Sequence, residues 1–150
     1  ITYGGNFGGL IGYSGSNINN SYATGNVETS GGQTVGGLVA YQGFGSILNS
    51  YASGNLTGIN TTMVGGLIAF YMGSQGSISN SHASGDIKST NSTYVGGFLG
   101  EMSLGEIKNS YANGNINSED SQYVGGFIGY GGGTIANLSL INFSESSRPY

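Results

Sequence analysis

The sequence predicts an all-β fold, a parallel β-solenoid of about five coils of 28 to 31 residues with no helix. Three observations carry that expectation. A Gly-Gly pair recurs at 8/9, 36/37, 65/66, 96/97 and 125/126. A second block follows each pair: NINNSYATGNV (17–27), SILNSYASGNL (46–56), SISNSHASGDI (77–87) and EIKNSYANGNI (106–116), with a fifth, TIANLSL from Thr134, that then departs. Between Gly, Asn and Ser lie apolar runs of five to seven residues rich in Val, Ile, Phe and Tyr, and none reaches helical length.

A repeat of this length with short turns suits one coil of a solenoid, each strand pairing with its equivalent one repeat away. Two or three short strands per repeat are expected. Antiparallel hairpins are the second choice, and a propeller blade would need some 40 residues. The domain reading is a single array over 1–150, with repeats starting near 7, 35, 64, 95 and 124 and an irregular C-terminal segment at 139–150.

The first block is VGGLVAY at Val35 and FGGLIGY, VGGLIAF, VGGFLGE and VGGFIGY in the other repeats. Read as a strand, it puts Val35, Gly37, Val39 and Tyr41 on one face and Gly36, Leu38 and Ala40 on the other. Both faces carry large apolar groups, so the strand is expected to be covered on both sides, with the glycines giving close approach. One cover is the solenoid core; the other is a second sheet of the chain or a neighbouring molecule.

In the second block, Ile18, Ile47, Ile78, Ile107 and Ile135 would stack in the core. Asn20, Asn49, Asn80, Asn109 and Asn137 would stack where the chain turns, since Asn tolerates the left-handed backbone of such corners. Ser21, Ser50, Ser81 and Ser110 point inward with Ala23, Ala52, Ala83 and Ala112. Gly25-Asn26 and its equivalents make the next turn, and Val27, Leu56, Ile87 and Ile116 return to the core. Length varies only in the connectors, where a stack tolerates insertions.

Composition limits what the chain can do. Gly supplies 31 residues and charged residues only 7%, yet aromatics reach 11%, so a packed core is expected rather than a flexible linker. The net charge is -4 and the basic residues are Lys88, Lys108 and Arg148, too few to neutralise a run of phosphates, so no nucleic-acid partner is expected. Cysteine is absent, which excludes disulfides and Cys-based zinc sites. No apolar run approaches the roughly 18 residues of a membrane span, and no signal-peptide pattern opens the chain at Ile1. A soluble chain without membrane insertion is expected, either a mature form or a piece of something longer.

The G-L-hydrophobic-G signature in Gly9-Leu10-Ile11-Gly12, with its variants GLVA, GLIA, GFLG and GFIG, followed by NSYAxGNV, resembles the GLUG-motif repeat of bacterial and archaeal surface proteins. The resemblance runs from about Phe7 to Leu138. It implies an extracellular, β-rich array at the cell surface, of the kind found in adhesin-like proteins and peptidase precursors, with no catalytic residues in the repeat itself.

His82 lies beside Ser81 with Asp86 four residues on, which invites a triad. It also occupies the slot of Tyr22, Tyr51 and Tyr111, and is read as a variant of that position. Glu101, Glu106, Glu119 and Asp120 are read as solvated charge, with weak calcium binding as the alternative. Gly131-Gly132-Gly133-Thr134 lacks the lysine and the helix of a phosphate loop and is read as a turn. No metal and no cofactor are expected.

The column Tyr22, Tyr51, His82 and Tyr111 is the candidate surface for a ligand or partner. Facing solvent, rings spaced by one coil suit stacking on sugars or on another protein; facing inward they are core. The alternation Ser in, Tyr out, Ala in favours exposure. Asn-x-Ser/Thr sequons begin at Asn19, Asn55, Asn60, Asn91, Asn137 and Asn142; Asn60 and Asn91, in inter-repeat connectors, are the accessible candidates for N-glycosylation.

The functional expectation is a non-enzymatic, extracellular structural or adhesive repeat module. An open solenoid exposes unpaired strand edges, so association end to end or laterally, as a surface or matrix fibre, is expected, or continuation into flanking chain. The alternative is a glycan-binding or glycan-processing β-helix that uses the Tyr column on cell-surface glycans.

Overall fold

The computed structural model describes residues 4–137, together with the backbone of two short strands at Ser139–Leu140 and Glu145–Ser146. Every regular element among them is a strand, and every pairing is parallel, so the hairpin alternative is set aside. Each strand pairs with its counterpart one repeat away: Val35 with Val64, Val64 with Val95, and Val95 with Val124. The chain is a β-solenoid of about five coils, because every repeat presents the same strand formers at the same places.

A coil visits four sheets, more than the two or three strands expected. The long sheet holds Asn6–Gly8, Val27–Gly36 and Leu56–Gly65, then the paired segments Ile87–Thr90 with Tyr94–Gly96 and Ile116–Glu119 with Tyr123–Gly125, and ends at Glu145–Ser146. The second holds Ile11–Ser14, Val39–Gln42, Ile68–Tyr71, Leu99–Met102 and Ile128–Gly131. The third holds Ile18–Asn19, Ile47–Leu48, Ser77–Ser79, Glu106–Lys108 and Thr134–Ala136, and the fourth Tyr22–Ala23, Tyr51–Ala52, His82–Ala83, Tyr111–Ala112 and Ser139–Leu140. Of the C-terminal segment read as irregular, Ser139–Leu140 and Glu145–Ser146 thus extend two sheets. The rest of it, with Asn142 and Arg148, lies outside the described residues.

VGGLVAY is not one strand. It is a corner: the long sheet ends at Gly36 and the second sheet begins at Val39. Val35 and Leu38, on either side, fall into different cores. The larger core gathers Leu38, Val39, Ile47, Ala52 and their equivalents in the other coils, with Phe98 stacked on Phe127 at 4.5 Å. The smaller gathers Val35, Leu56, Val64, Ile87, Val95, Ile116 and Val124. Period-2 alternation could not reveal this, since a corner between two filled lobes is buried on both sides just as a covered strand is.

The glycines mark where the coil is pinched between those lobes. A Cβ on Gly37 would lie 2.8 Å from the Ala52 methyl across the coil and would collide with the carbonyl of Gly66, one coil on. A Cβ on Gly36 would collide with the Val39 carbonyl. Neither residue has positive φ, so space alone requires glycine here.

The Asn corners do use the left-handed backbone: φ is 51° at Asn20, 52° at Asn49, 51° at Asn80, 47° at Asn109 and 54° at Asn137. The same corner occurs a second time per coil, at Asn60 (φ 54°), Asn91 (54°) and Asp120 (52°), with Gly31 (79°) in the same role. Except at Asn137, which Leu138 follows, each of these Asn or Asp residues is followed by an inward Ser or Thr. The dipeptides Asn60-Thr61, Asn91-Ser92 and Asp120-Ser121 repeat the Asn-Ser signature of the second block. Their position in connectors of variable length hid them.

Candidate functional site

The best-formed surface feature grows out of the first Asn corner. After the left-handed residue the chain is placed so that Ser faces in, the aromatic faces out and Ala faces in. The inward serines are held by a ladder of their own: the Ser50 Oγ donates to the Leu48 carbonyl at 2.8 Å and accepts the Ser21 N–H at 3.2 Å. Ser81 does the same for Ser50, and Ser110 for Ser81. These hydroxyls supply the acceptor that a corner denies the backbone, so the buried N–H groups are satisfied.

The outward rings are consequently in register. Tyr22 pairs with Tyr51, Tyr51 with His82 and His82 with Tyr111. Ring centroids are 5.3, 4.9 and 4.7 Å apart, and the interplanar angles are only 8°, 3° and 2°. Tyr22 is 60% exposed, and the other three rings are half-buried by one another. The result is an aromatic stack four rings long, ring edges toward solvent, whose next register position is Ser139. Burial lowers the His82 pKa, so near neutral pH it takes part as a neutral ring.

A triad does not assemble around His82. Ser81 is buried and faces the interior, its Oγ donating to the Ser79 carbonyl at 2.8 Å, whereas His82 faces out. Asp86 belongs to the Gly-Asn turn, its Oδ1 accepting the Asn115 N–H at 2.9 Å. Asn26 and Asn55 do the same for the coils that follow them, and the column borders an open groove shared with Glu28, Thr57 and Lys88.

The carboxylates are dispersed. Glu106 pairs with Lys108 at 3.0 Å on the surface, Glu119 is exposed, and Asp120 shapes a corner. Among the described residues no three His, Asp or Glu side chains gather to hold a metal ion. Glu101 differs from the other acids: it is half-buried, and burial raises its pKa above the ordinary carboxylate value.

Both glycosylation candidates sit on the second corner. Asn60 and Asn91 are exposed, and the Asn91 Nδ2 donates to the Asn60 Oδ1 at 2.8 Å. The nitrogen that would carry a glycan on Asn91 therefore already makes a bond along the stack.

A second aromatic column, which the sequence reading passed over, runs along the second sheet. Tyr13 stacks on Tyr41 at 5.2 Å, Tyr41 meets Phe70 at 4.8 Å with the rings tilted by 45°, and Tyr130 occupies the same position in the fifth coil. Its signal was the last residue of each first block: Tyr, Tyr, Phe, Glu, Tyr.

A search among curated proteins finds no match to this chain. The family model described as the GLUG motif matches four times, over residues 3–28, 31–57, 60–88 and 91–117. These matches divide the chain at the register the strand ladders define, since Asn6, Thr34, Met63 and Tyr94 are equivalent positions in successive coils. With four tandem copies covering most of its length, each forming one coil of a parallel stack, the chain belongs to the GLUG-motif family.

Proposed function

We propose that the chain is a non-enzymatic structural and adhesive repeat module of an extracellular or cell-surface protein, which lengthens by stacking its end coil on another. The observation that carries this reading is the uncovered core of the first coil. Leu10 is 48% exposed and Phe7 40%, while their equivalents Leu38, Leu67 and Val35 are fully buried. Open strand edges and uncovered apolar columns are the surface that another coil buries, whether it comes from the same longer chain or from a second copy.

Light scattering and electron microscopy of the purified chain over a range of concentrations test the second-copy version. Concentration-dependent linear assemblies that Leu10→Asp suppresses would support it. A monomer at every concentration would count against self-association and leave the module as a spacer between other segments.

A second reading is favoured by the stack Tyr22, Tyr51, His82 and Tyr111, whose rings are parallel within 8° and reach solvent along one side. Such a stack offers sugars a row of ring edges along its length and an open ring at Tyr22, its exposed end. Binding on a glycan array that disappears in Tyr51→Ala and Tyr111→Ala, with the fold retained, would establish it; unchanged binding would dismiss it.

A further inference from the structure

Three tyrosines meet at one corner of the fourth and fifth coils. Tyr94 and Tyr123 are register partners on the long sheet, and Tyr130 stands on the second sheet, across the corner that follows Gly125. The Tyr94 ring lies 5.4 Å from that of Tyr123 and 5.4 Å from that of Tyr130. Tyr123 meets Tyr130 edge-on at 5.6 Å, with 62° between the ring planes. Tyr123 is 45% exposed and Tyr130 51%. Partial burial raises the Tyr94 pKa, and the charges of Glu101, Tyr123 and Tyr130 raise it further, so the three hydroxyl ends lie near one another.

One-electron oxidation of this chain settles on tyrosine, because it has 11 tyrosines and neither cysteine nor tryptophan. The tyrosines differ in what they can do next. Among the described residues, the other pairs in contact are Tyr13–Tyr41 and Tyr22–Tyr51, which stack at 28° and 8°. Joining two phenols needs ring edges to meet, and face-to-face stacking keeps them apart. Tyr71 is fully buried. At Tyr123 and Tyr130 both rings are open to solvent and one presents its edge to the other, so the pair is held together at a high effective concentration.

We propose that Tyr123 and Tyr130 form an oxidative cross-linking site, at which a peroxidase with hydrogen peroxide joins the two rings as dityrosine. Each phenol gives up one electron and its O–H proton; the peroxide takes both electrons and both protons and leaves as two waters. The two radicals then form a carbon–carbon bond between ring positions ortho to the hydroxyls. The hydrogen on each of those carbons moves to the phenol oxygen and restores the aromatic ring, so the chain loses two hydrogens in all. The bond ties the long sheet to the second sheet in the fifth coil. Its biological setting rests on the extracellular location proposed above, which would bring the chain to such an oxidant, whereas the chemistry of the pair does not.

The test treats the whole chain, dilute enough to stay monomeric, with a peroxidase and limiting hydrogen peroxide. The expected product is a monomer lighter by two hydrogens that shows dityrosine fluorescence. Its chymotryptic digest, cut at Phe127, should hold Tyr123 and Tyr130 in joined peptides. Tyr123→Phe and Tyr130→Phe, which keep the rings, should each abolish this product, and Tyr13→Phe should leave it unchanged. Mapping of the bond to another pair, its persistence in Tyr130→Phe, coupling only between chains, no coupling at all, or an equal yield of this pair in the urea-unfolded chain would each overturn the proposal. None of these readouts depends on whether copies of the chain associate.

Discussion

Gly37 packs so closely on Ala52 across the coil that a methyl group on it would lie 2.8 Å from the alanine methyl. The contact recurs between Gly66 and Ala83 and between Gly9 and Ala23, where the corresponding distance is 3.0 Å in each case. It is the waist that divides the two cores, and it explains why a glycine pair and an alanine recur together in every complete repeat.

Gly37→Ala should therefore be severely destabilising, by about 3 kcal/mol or more, because the obstructing groups include the Gly66 backbone. Gly25→Ala is the matched control: nothing lies within 4 Å of its added methyl and its φ is not positive. Reduced entropy of the unfolded chain should make that change neutral or stabilising by about 0.4–1 kcal/mol. Urea unfolding of the two variants checks the contrast; equal effects would remove the waist from the account.

The Asn corners give a second prediction. Asn49 has φ 52° with an exposed side chain, so Asn49→Ala should cost about 1–2 kcal/mol, while Asn49→Gly should cost less. Asn91→Ala should behave similarly and also lose the amide bond to Asn60. Denaturant titration of the three variants measures the order.

His82 predicts a pH dependence. Burial holds its folded-state pKa below the ordinary 6.5. Below pH 6.5 the unfolded chain then binds the proton more readily, so stability falls as pH drops through that value and levels off below the folded-state pKa. His82→Tyr keeps a ring in the strip and removes this component. The difference between the melting profiles of the two proteins isolates it, and should vanish above neutral pH.

Tyr71 acts at the other end of the scale. It is fully buried in the larger core, and burial pushes its phenol up to about 12 from 10.0. The unfolded chain releases this proton first, so stability declines as pH rises above 10. Ultraviolet titration of tyrosinate should show a late step near pH 12 that belongs to Tyr71. In Tyr71→Phe the late step should be missing and the alkaline loss of stability reduced.

Much of the fold was legible because the sequence states it five times. The Ile, Asn, Ser and Ala columns needed only alignment of the blocks, although Ile135, expected in the core, is 42% exposed in the last coil, and the alternation around Tyr51 correctly sent Ser50 and Ala52 inward. The Gly36-Gly37 corner was not legible, since burial of Val35 and Leu38 by separate cores produces the pattern of a doubly covered strand. The second corner was concealed by length variation around Asn60 and Asn91. Glu101 is read from the sequence as solvated charge, and its half-burial was not legible because Phe70 and Tyr130 lie next to it only after the coils stack.

That stacking register is the central claim, and the absence of native cysteine makes it directly measurable. Thr57 and Lys88 are register partners on the exposed side of the long sheet, whereas Thr90 is two residues out of register with Thr57. Parallel neighbours about 4.8 Å apart lie within the 4.4–6.8 Å Cα range of a disulfide, and a two-residue offset carries a pair beyond about 7 Å. Oxidation of the double variant Thr57→Cys/Lys88→Cys should give an intramolecular disulfide in high yield, detected by mass spectrometry, while Thr57→Cys/Thr90→Cys should remain reduced. Preferential bridging of the second pair, or of neither, would contradict the register on which the columns, the waist and both aromatic surfaces rest.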